Sequence, residues 1–175
     1  MLVSYHTAQT YENQYALQRE AFYATGEVNP FVIFDGSNVV WEQSPYAYED
    51  RYTEAYNIAR TVTPLFNITI DNPISSATQG SFDLELVPTD TLPDDEIHAF
   101  IAICEDSLIG AYINFMFVCR EMQELILDLA YTDTLQQTVI FSHNIELDKL
   151  SAIVFVQDMD TKEVMQSVMT RFQEE

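Results

Sequence analysis

The stretch Asn29-Pro30-Phe31-Val32-Ile33-Phe34-Asp35-Gly36 organises the first part of this chain. In it a proline opens a run of four large apolar residues, and an Asp-Gly pair ends the run. A run this short, with turn residues on both sides, predicts a strand that is buried on both faces. Val39-Val40-Trp41 follows and predicts the returning strand of a hairpin. Pro30 can begin such a strand, and the bond before a proline is where a cis peptide costs least.

Short regular elements are predicted on both sides of the hairpin. Residues 2–6 alternate and are rich in β-branched and aromatic side chains, which favours a strand. Residues 10–23 and 48–62 repeat apolar side chains at helical spacing. The first of these helices is expected to end at Thr25-Gly26, where glycine can take the left-handed cap, and the second before Pro64. Residues 1–63 are therefore predicted to run strand, helix, strand, strand, helix.

The pattern changes after Pro64. Short alternating segments follow one another with turn-like gaps and no helical pattern between them. These segments cover residues 66–70, 81–87, 97–105, 112–120, 125–130, 138–144, 152–157 and 164–172. Such a series predicts an antiparallel β-sandwich of the immunoglobulin-like kind. We therefore expect two domains, an α/β unit over residues 1–63 and an all-β sandwich over residues 64–175.

The composition is strongly acidic, with 28 aspartates and glutamates against 7 lysines and arginines and a net charge of −21. Such a charge repels phosphate backbones and anionic lipids, so nucleic acid is not expected as a partner. Asp94-Asp95-Glu96 and Asp158-Met159-Asp160 come nearest to a cation site, but neither has the glycine and distal glutamate of a calcium loop. No metal or other cofactor is therefore expected. No apolar run is long enough to predict a transmembrane segment.

The two cysteines are the sharpest pairing signal in the second half. If their strands form a hairpin centred between Ala111 and Tyr112, Cys104 and Cys119 lie opposite each other, close enough for a disulfide. A bridge and two buried thiols are both compatible with this placement. Neither cysteine has a nearby histidine that would suggest catalysis. The histidines are isolated and are interpreted as hydrogen-bonded side chains rather than zinc ligands: His6, His98 and His143.

Two sets of residues resemble known families. Part of the first 63 residues resembles the second half of a thioredoxin domain, and the end of the chain resembles the immunoglobulin-like tail of the twenty-eight-kilodalton outer-membrane-protein family. The first set is Tyr5-His6, residues 19–23, residues 29–36 and residues 52–59; the second is Ile103-Cys104-Glu105-Asp106, Val118-Cys119-Arg120, Ala152-Ile153-Val154-Phe155-Val156-Gln157-Asp158 and residues 161–166. Members of that family are secreted or lipid-anchored bacterial proteins. The resemblance implies an extracytoplasmic location, whereas a native start at Met1 would imply a cytoplasmic one.

By this resemblance Pro30 matches the cis-proline that lies beside the redox dithiol of a thioredoxin domain. Phe31 stands where threonine is common, and the sequence has no Cys-X-X-Cys, so the residues for thiol exchange are missing. The strand that would separate residues 2–6 from residues 31–34 is missing as well. We expect the resulting gap to be filled by rearrangement or by a strand from another chain, with residues 164–172 as one candidate donor.

Two functions compete on this basis. The first is a non-enzymatic, extracytoplasmic binding or structural module at the cell surface, with protein partners, that self-associates by strand complementation into a homo-oligomer. The second is a truncated or client-binding portion of a thiol-disulfide oxidoreductase. Calcium-assisted adhesion through the acidic loops is a weaker third possibility. No catalytic residue is assigned in any of these readings.

Overall fold

Two four-stranded sheets packed face to face form the centre of the computed structural model, which describes residues 3–6, 11–25, 32–40, 48–109 and 114–174. The elements in chain order are α1 (Gln14–Tyr23), β1 (Val32–Phe34), β2 (Asn38–Val40), α2 (Tyr48–Ala59), β3 (Phe66–Ser75), β4 (Gln79–Pro88), β5 (Ile97–Glu105), β6 (Leu108–Ile109), β7 (Asn114–Phe115), β8 (Val118–Leu127), β9 (Leu135–Ser142), a short 3₁₀ helix (Leu147–Lys149), β10 (Leu150–Asp158), β11 (Val164–Arg171) and β12 (Gln173–Glu174). The front sheet has the order β11-β10-β5-β8, and the back sheet has the order β12-β3-β4-β9. All neighbours are antiparallel except β12, which runs parallel to β3.

The back sheet shows the alternation that the sequence predicts. In β4 the side chains of Phe82, Leu84 and Leu86 point into the core, whereas Asp83 is exposed. The same inward and outward alternation is expected of a sheet with one solvated face. The β-sandwich prediction is therefore confirmed by the described strands.

The two central strands of the front sheet are buried almost throughout. All nine residues of β10 are buried, as are eight of the nine residues of β5. This sheet is covered on both sides, by the back sheet on one face and by the N-terminal part of the chain on the other. Double coverage explains why these two strands are nearly continuous apolar runs.

The predicted hairpin is present, with Val32 opposite Val40 and Phe34 opposite Asn38. The two helices also form, but each is shorter than predicted. Helix α1 begins after Asn13, whose side chain accepts a hydrogen bond from the Ala16 N–H at 2.9 Å. The predicted cap at Thr25-Gly26 is wrong, because Ala24 takes the left-handed conformation with φ 52°.

Two strand predictions are wrong, and one strand that does form lacks its proposed role as a donor to another chain. Residues 3–6 make only an isolated bridge, from Ser4 to Val118, so the predicted strand over residues 2–6 is not formed among them. The segments 112–120 and 125–130 were predicted as two strands, but parts of both belong to one ten-residue strand, β8. The polar residues between them continue this strand, which forms the edge of the front sheet. The candidate donor 164–172 is already used inside the chain, since β11 pairs with β10 and Phe172 enters the core.

Candidate functional site

The outer face of the front sheet is the place where residues 3–6 and 11–25 meet the sandwich. A second apolar cluster lies here, apart from the core between the sheets. It contains Phe100, Ala102, Cys104, Cys119, Ile153 and Phe155, with Val3, Tyr5, Tyr15, Phe117, Met122, Met159 and Val164 packed against it. Residues from the helix and from the sheet therefore share one buried layer. Whether residues 1–63 form a separate domain stays a prediction.

Arg19 of α1 is the charged group at the centre of this layer, with 4% of its surface exposed. Its Nη2 donates hydrogen bonds to the Tyr23 hydroxyl at 2.7 Å and to Gln157 Oε1 at 2.6 Å. Five aromatic rings surround the guanidinium at 4.8–6.0 Å from its central carbon: Tyr5, Phe22, Tyr23, Phe100 and Phe155. The charge is therefore balanced by ring faces and neutral oxygens, and its Nε has no hydrogen-bond partner.

Gln157 connects Arg19 to the turn that joins β10 and β11. Its Nε2 donates to the Tyr23 hydroxyl at 2.8 Å and to the Lys162 carbonyl at 2.6 Å, while Lys162 Nζ donates to the Phe22 carbonyl at 2.6 Å. Gln157 is buried, and its side-chain oxygen and nitrogen both have hydrogen-bond partners. These contacts fix the end of α1 against the turn.

The hairpin turn contacts the same place. The Asp35 carbonyl accepts a hydrogen bond from the Val164 N–H at 2.8 Å. Gly36 follows with φ 73°, and a Cβ at this position would lie 1.8 Å from the Lys162 carbonyl oxygen. Glycine is therefore required here both by the backbone conformation and by the close approach of the turn.

Cys104 and Cys119 lie opposite each other in the register of β5 and β8, as the hairpin centred between residues 111 and 112 predicts. Both are buried free thiols in the apolar cluster. Burial raises the pKa of Cys104 well above its usual value and that of Cys119 to about 12. Thiolates are therefore strongly disfavoured at either position.

His143 and Ser75 form a pair that resembles part of a catalytic dyad, with 2.8 Å between Nε2 and Oγ. The Ile145 N–H donates to His143 Nδ1 at 3.2 Å, so Nδ1 is the acceptor and Nε2 carries the hydrogen. A ring nitrogen that donates cannot remove the serine proton. The pair instead fastens the end of β3 to the residues after β9.

His98 and His6 are also held in place by their surroundings. His98 lies between two carboxylates, with Nδ1 2.6 Å from Glu124 Oε1 and Nε2 2.9 Å from Glu96 Oε1. The ring of His6 packs edge-on against the rings of Tyr11 and Phe115, and burial lowers its pKa. Among the described residues no group of histidine, cysteine, aspartate and glutamate side chains is arranged to hold a metal ion.

The two acidic segments singled out by the sequence lie side by side. The Met159 N–H donates to the Glu96 carbonyl at 2.8 Å, and Asp158 Oδ1 accepts from the N–H groups of Asp160 and Thr161 at 2.8 and 2.9 Å. Burial and the neighbouring Asp158 charge raise the pKa of Asp95. The oxygens of Asp158 are thus used to hold the turn before β11.

A groove runs between β3 and β11, where the open edges of the two sheets face each other. Its volume is about 410 Å³, and it is lined by Asn67, Ile68, Thr69, Glu85, Val87, Gln166, Ser167 and Val168. Strand β12 pairs only with Ile74 and Ser75, so residues 67–71 of β3 have no backbone partner on this side within the described part of the chain. On the facing edge the Ser167 N–H is bound by the Gln166 side chain at 2.8 Å.

Sequence reasoning placed some of these residues and missed others. The cysteine pair lies where it was predicted. Arg19 and Gln157 lie in segments that carry the family resemblance, but the sequence assigned neither of them a role, and it gave no sign of the groove. Pro30, the predicted cis-proline, lies outside the described residues. In the described ranges neither helix is long and apolar enough to cross a membrane.

Comparison with known proteins identifies a similar fold. No family model and no curated protein matches the chain. HBP35 of Porphyromonas gingivalis is 9% identical with a TM-score of 0.59, over 78% of this chain and 49% of that one. A domain of the outer membrane lipoprotein Omp28 from the same organism is 10% identical with a TM-score of 0.44, over 64% of this chain and 91% of that one. The chain thus spans about half of the HBP35 structure, and the likeness to it concerns the fold alone.

Proposed function

We propose that this chain is a non-enzymatic, extracytoplasmic binding or structural module that assembles with protein partners, including copies of itself, by strand complementation. In this proposal residues 1–63 are a partial thioredoxin-like unit and the remainder is an immunoglobulin-like sandwich related to the twenty-eight-kilodalton outer-membrane proteins. The observation that carries the proposal is the groove between β3 and β11 with its two open strand edges.

An open edge offers unpaired N–H and C=O groups to any extended segment that can reach it. Residues 67–71 of β3 provide room for about five paired residues before β12 occupies the same edge. Ile68 and Val168 are half-buried and line the groove, so alternate side chains of an added strand would have apolar contacts. Main-chain bonds and apolar pockets together are the usual basis of strand addition.

The histidine geometry supports the non-enzymatic part of the proposal. The described Ser75–His143 pair has its hydrogen on the wrong nitrogen for a general base, and His98 is enclosed by two carboxylates. An insulin-reduction assay provides the direct test, and measurable reductase activity would contradict this part.

Self-association is tested by the mass of the native assembly, measured by multi-angle light scattering at low and high salt. Copies with a charge of −21 repel each other, so we expect association to increase when salt screens the charge. Ser167→Pro removes an N–H that faces the groove rather than β10, and proline is tolerated at such edge positions. We expect this variant to lose the oligomer, while Ser167→Ala, which keeps the N–H, retains it. A monomer at every salt and protein concentration would contradict self-assembly.

A further inference from the structure

The backbone hydrogen bonds of Cys119 show which kind of cross-strand pair the two cysteines form. The Cys119 N–H donates to the Ser4 carbonyl at 3.0 Å, and the Cys119 carbonyl accepts from Asn13 Nδ2 at 2.7 Å. Both backbone groups of Cys119 therefore point away from β5. Cys104 and Cys119 consequently form a non-hydrogen-bonded pair, the antiparallel position in which facing side chains come closest, with Cα atoms about 4.5 Å apart.

That spacing falls at the short end of the range that disulfides occupy, roughly 4.4–6.8 Å between Cα atoms. Both side chains project from the same face of the front sheet into one apolar cluster. Each sulfur has only a weak contact with a backbone carbonyl of its own strand, at 3.8 Å for Cys104 and 3.5 Å for Cys119. A bridge would therefore remove little of the existing hydrogen bonding.

The pair is also covered. Residues 3–6 and helix α1 lie over it, fixed by the Ser4 and Asn13 contacts to the Cys119 backbone. Exposure of Cys104 and Cys119 is 0% and 1%. An oxidant cannot reach these sulfurs unless the N-terminal residues move away.

We propose that Cys104 and Cys119 form a disulfide during folding, before α1 docks, and that the docked helix then seals the bond from exchange. One thiolate attacks a disulfide donor such as oxidised glutathione, which forms a mixed disulfide and releases one glutathione thiolate. The second cysteine attacks the mixed disulfide at the protein sulfur and releases the second glutathione. Two protein thiols are oxidised to one bridge, and one glutathione disulfide is reduced to two thiols, with the two cysteine protons passing to the released thiolates or to water. This proposal does not depend on the proposed function.

The ionised fraction of the cysteines also favours oxidation before α1 docks. In the unfolded chain the cysteines have a pKa near 8.5, whereas in the folded chain burial raises the pKa of Cys119 to about 12. The folded thiol therefore has roughly a thousandfold less thiolate at pH 8 than the unfolded one. The low thiolate fraction and the blocked access of an oxidant both slow oxidation of the folded chain.

The test compares oxidation of the folded and unfolded full-length chain. Reduced native protein and reduced protein diluted from urea are each incubated with a glutathione redox buffer at pH 8, alkylated, and analysed by intact mass. We expect refolding to give a product lighter by two hydrogen atoms that resists alkylation, and native oxidation to be at least about a hundredfold slower. Cys104→Ala and Cys119→Ala serve as controls that can form only mixed disulfides or dimers.

Three results would overturn the proposal. A refolded chain that keeps both thiols, or carries only mixed disulfides, would show that the pair does not close. Native oxidation as fast as oxidation during refolding would show that the helix does not seal the site. Asn13→Ala removes both the α1 cap and the bond to Cys119, so it should speed native oxidation, whereas Gln18→Ala on the exposed side of α1 should not. Equal rates in the two variants would also contradict sealing by α1.

Discussion

Replacing Arg19 by alanine and by methionine separates the contribution of its charge from that of its bulk. The side chain is 96% buried against aromatic rings and has no carboxylate partner among the contacts found for it. Bringing a guanidinium into such a place costs several kcal/mol of hydration. Its two charged hydrogen bonds and its contacts with the ring faces stabilise the buried guanidinium by a similar free energy, about 1.5–3 kcal/mol per hydrogen bond and ~2 kcal/mol for desolvated cation–π contacts.

Because these charge terms nearly cancel, most of the stabilisation should come from packing. Alanine leaves a cavity the size of a large core truncation, which typically costs about 2–5 kcal/mol, and leaves Gln157 Oε1 without its donor. We expect Arg19→Ala to lower the free energy of unfolding by about 3–4 kcal/mol. Methionine also leaves Gln157 Oε1 without its donor, but it keeps an apolar stem between the rings and avoids the hydration cost, so Arg19→Met should lose only about 1–2 kcal/mol.

Urea unfolding followed by circular dichroism measures both variants on one scale. Amide hydrogen exchange then shows where the loss occurs: exchange should accelerate in α1 and remain slow in β5 and β10, because the sandwich core lies on the other side of the front sheet. Lysine at the same position replaces the planar guanidinium, which lies against five aromatic rings, by a more strongly hydrated ammonium, so Arg19→Lys should be less stable than the wild type. If Arg19→Met is as unstable as Arg19→Ala, the charge outweighs its hydration cost and the packing argument is refuted.

Further predictions concern the turns and the sheet crossing. Gly36→Ala should lose about 1–3 kcal/mol in urea unfolding, since alanine is strained at φ 73° and its Cβ meets the Lys162 carbonyl, while the exposed Ser37→Ala should be neutral. Burial alone raises the pKa of Asp158, but hydrogen bonds from Thr161 and the Asp160 N–H outweigh it, so the pKa lies below its usual value. Its stabilisation is therefore complete above the unfolded pKa of about 3.9 and is lost as the pH falls through the folded value. Asp158→Asn should be less stable than the wild type at pH 7, with a difference that shrinks below pH ~4 in urea titrations at each pH. Phe172→Ala should lose about 3–5 kcal/mol because this buried ring lies where the chain passes from the front sheet to the back sheet, and Phe172→Leu should recover most of it.

A strand was predictable from the sequence where its own residues and their immediate neighbours show the pattern of a strand. Strand β5 has the predicted bounds, Ile97–Glu105, because a nine-residue run of mostly apolar residues is preceded and followed by acidic residues. The cysteine register was also predictable, since a hairpin is symmetric about its turn. The bulge between Ile103 and Cys104 does not disturb that symmetry, because it lies on the far side of the pair from the turn.

The long edge strand β8 was not predictable from the same reasoning. Its middle reads Arg-Glu-Met-Gln-Glu, a mostly charged and polar run that interrupts the apolar pattern of a strand. At the edge of a partly exposed sheet such residues can stay half-solvated while their backbone pairs with β5. Arg19 was missed for a related reason: a single arginine in a helical pattern is normally exposed, and two of the five rings that bury it come from strands more than 80 residues away.

The pairing of Ser4 with the beginning of β8 accounts for the burial of the cysteines. In the expected arrangement residues 2–6 belong to the same sheet as the hairpin. Instead, Ser4 exchanges hydrogen bonds with Phe117 and Cys119 at the beginning of β8, and α1 follows it onto the front sheet. The hairpin therefore has no third strand among the described residues, while the front sheet gains a cover. Strand addition at the groove between β3 and β11 would not require α1 to leave, because α1 packs against β8 and the turn before β11, whereas residues of β3, β4 and β11 line the groove. Assembly at the strand edges and sealing of the cysteine pair are thus separable properties, and variants of one should leave the other unchanged.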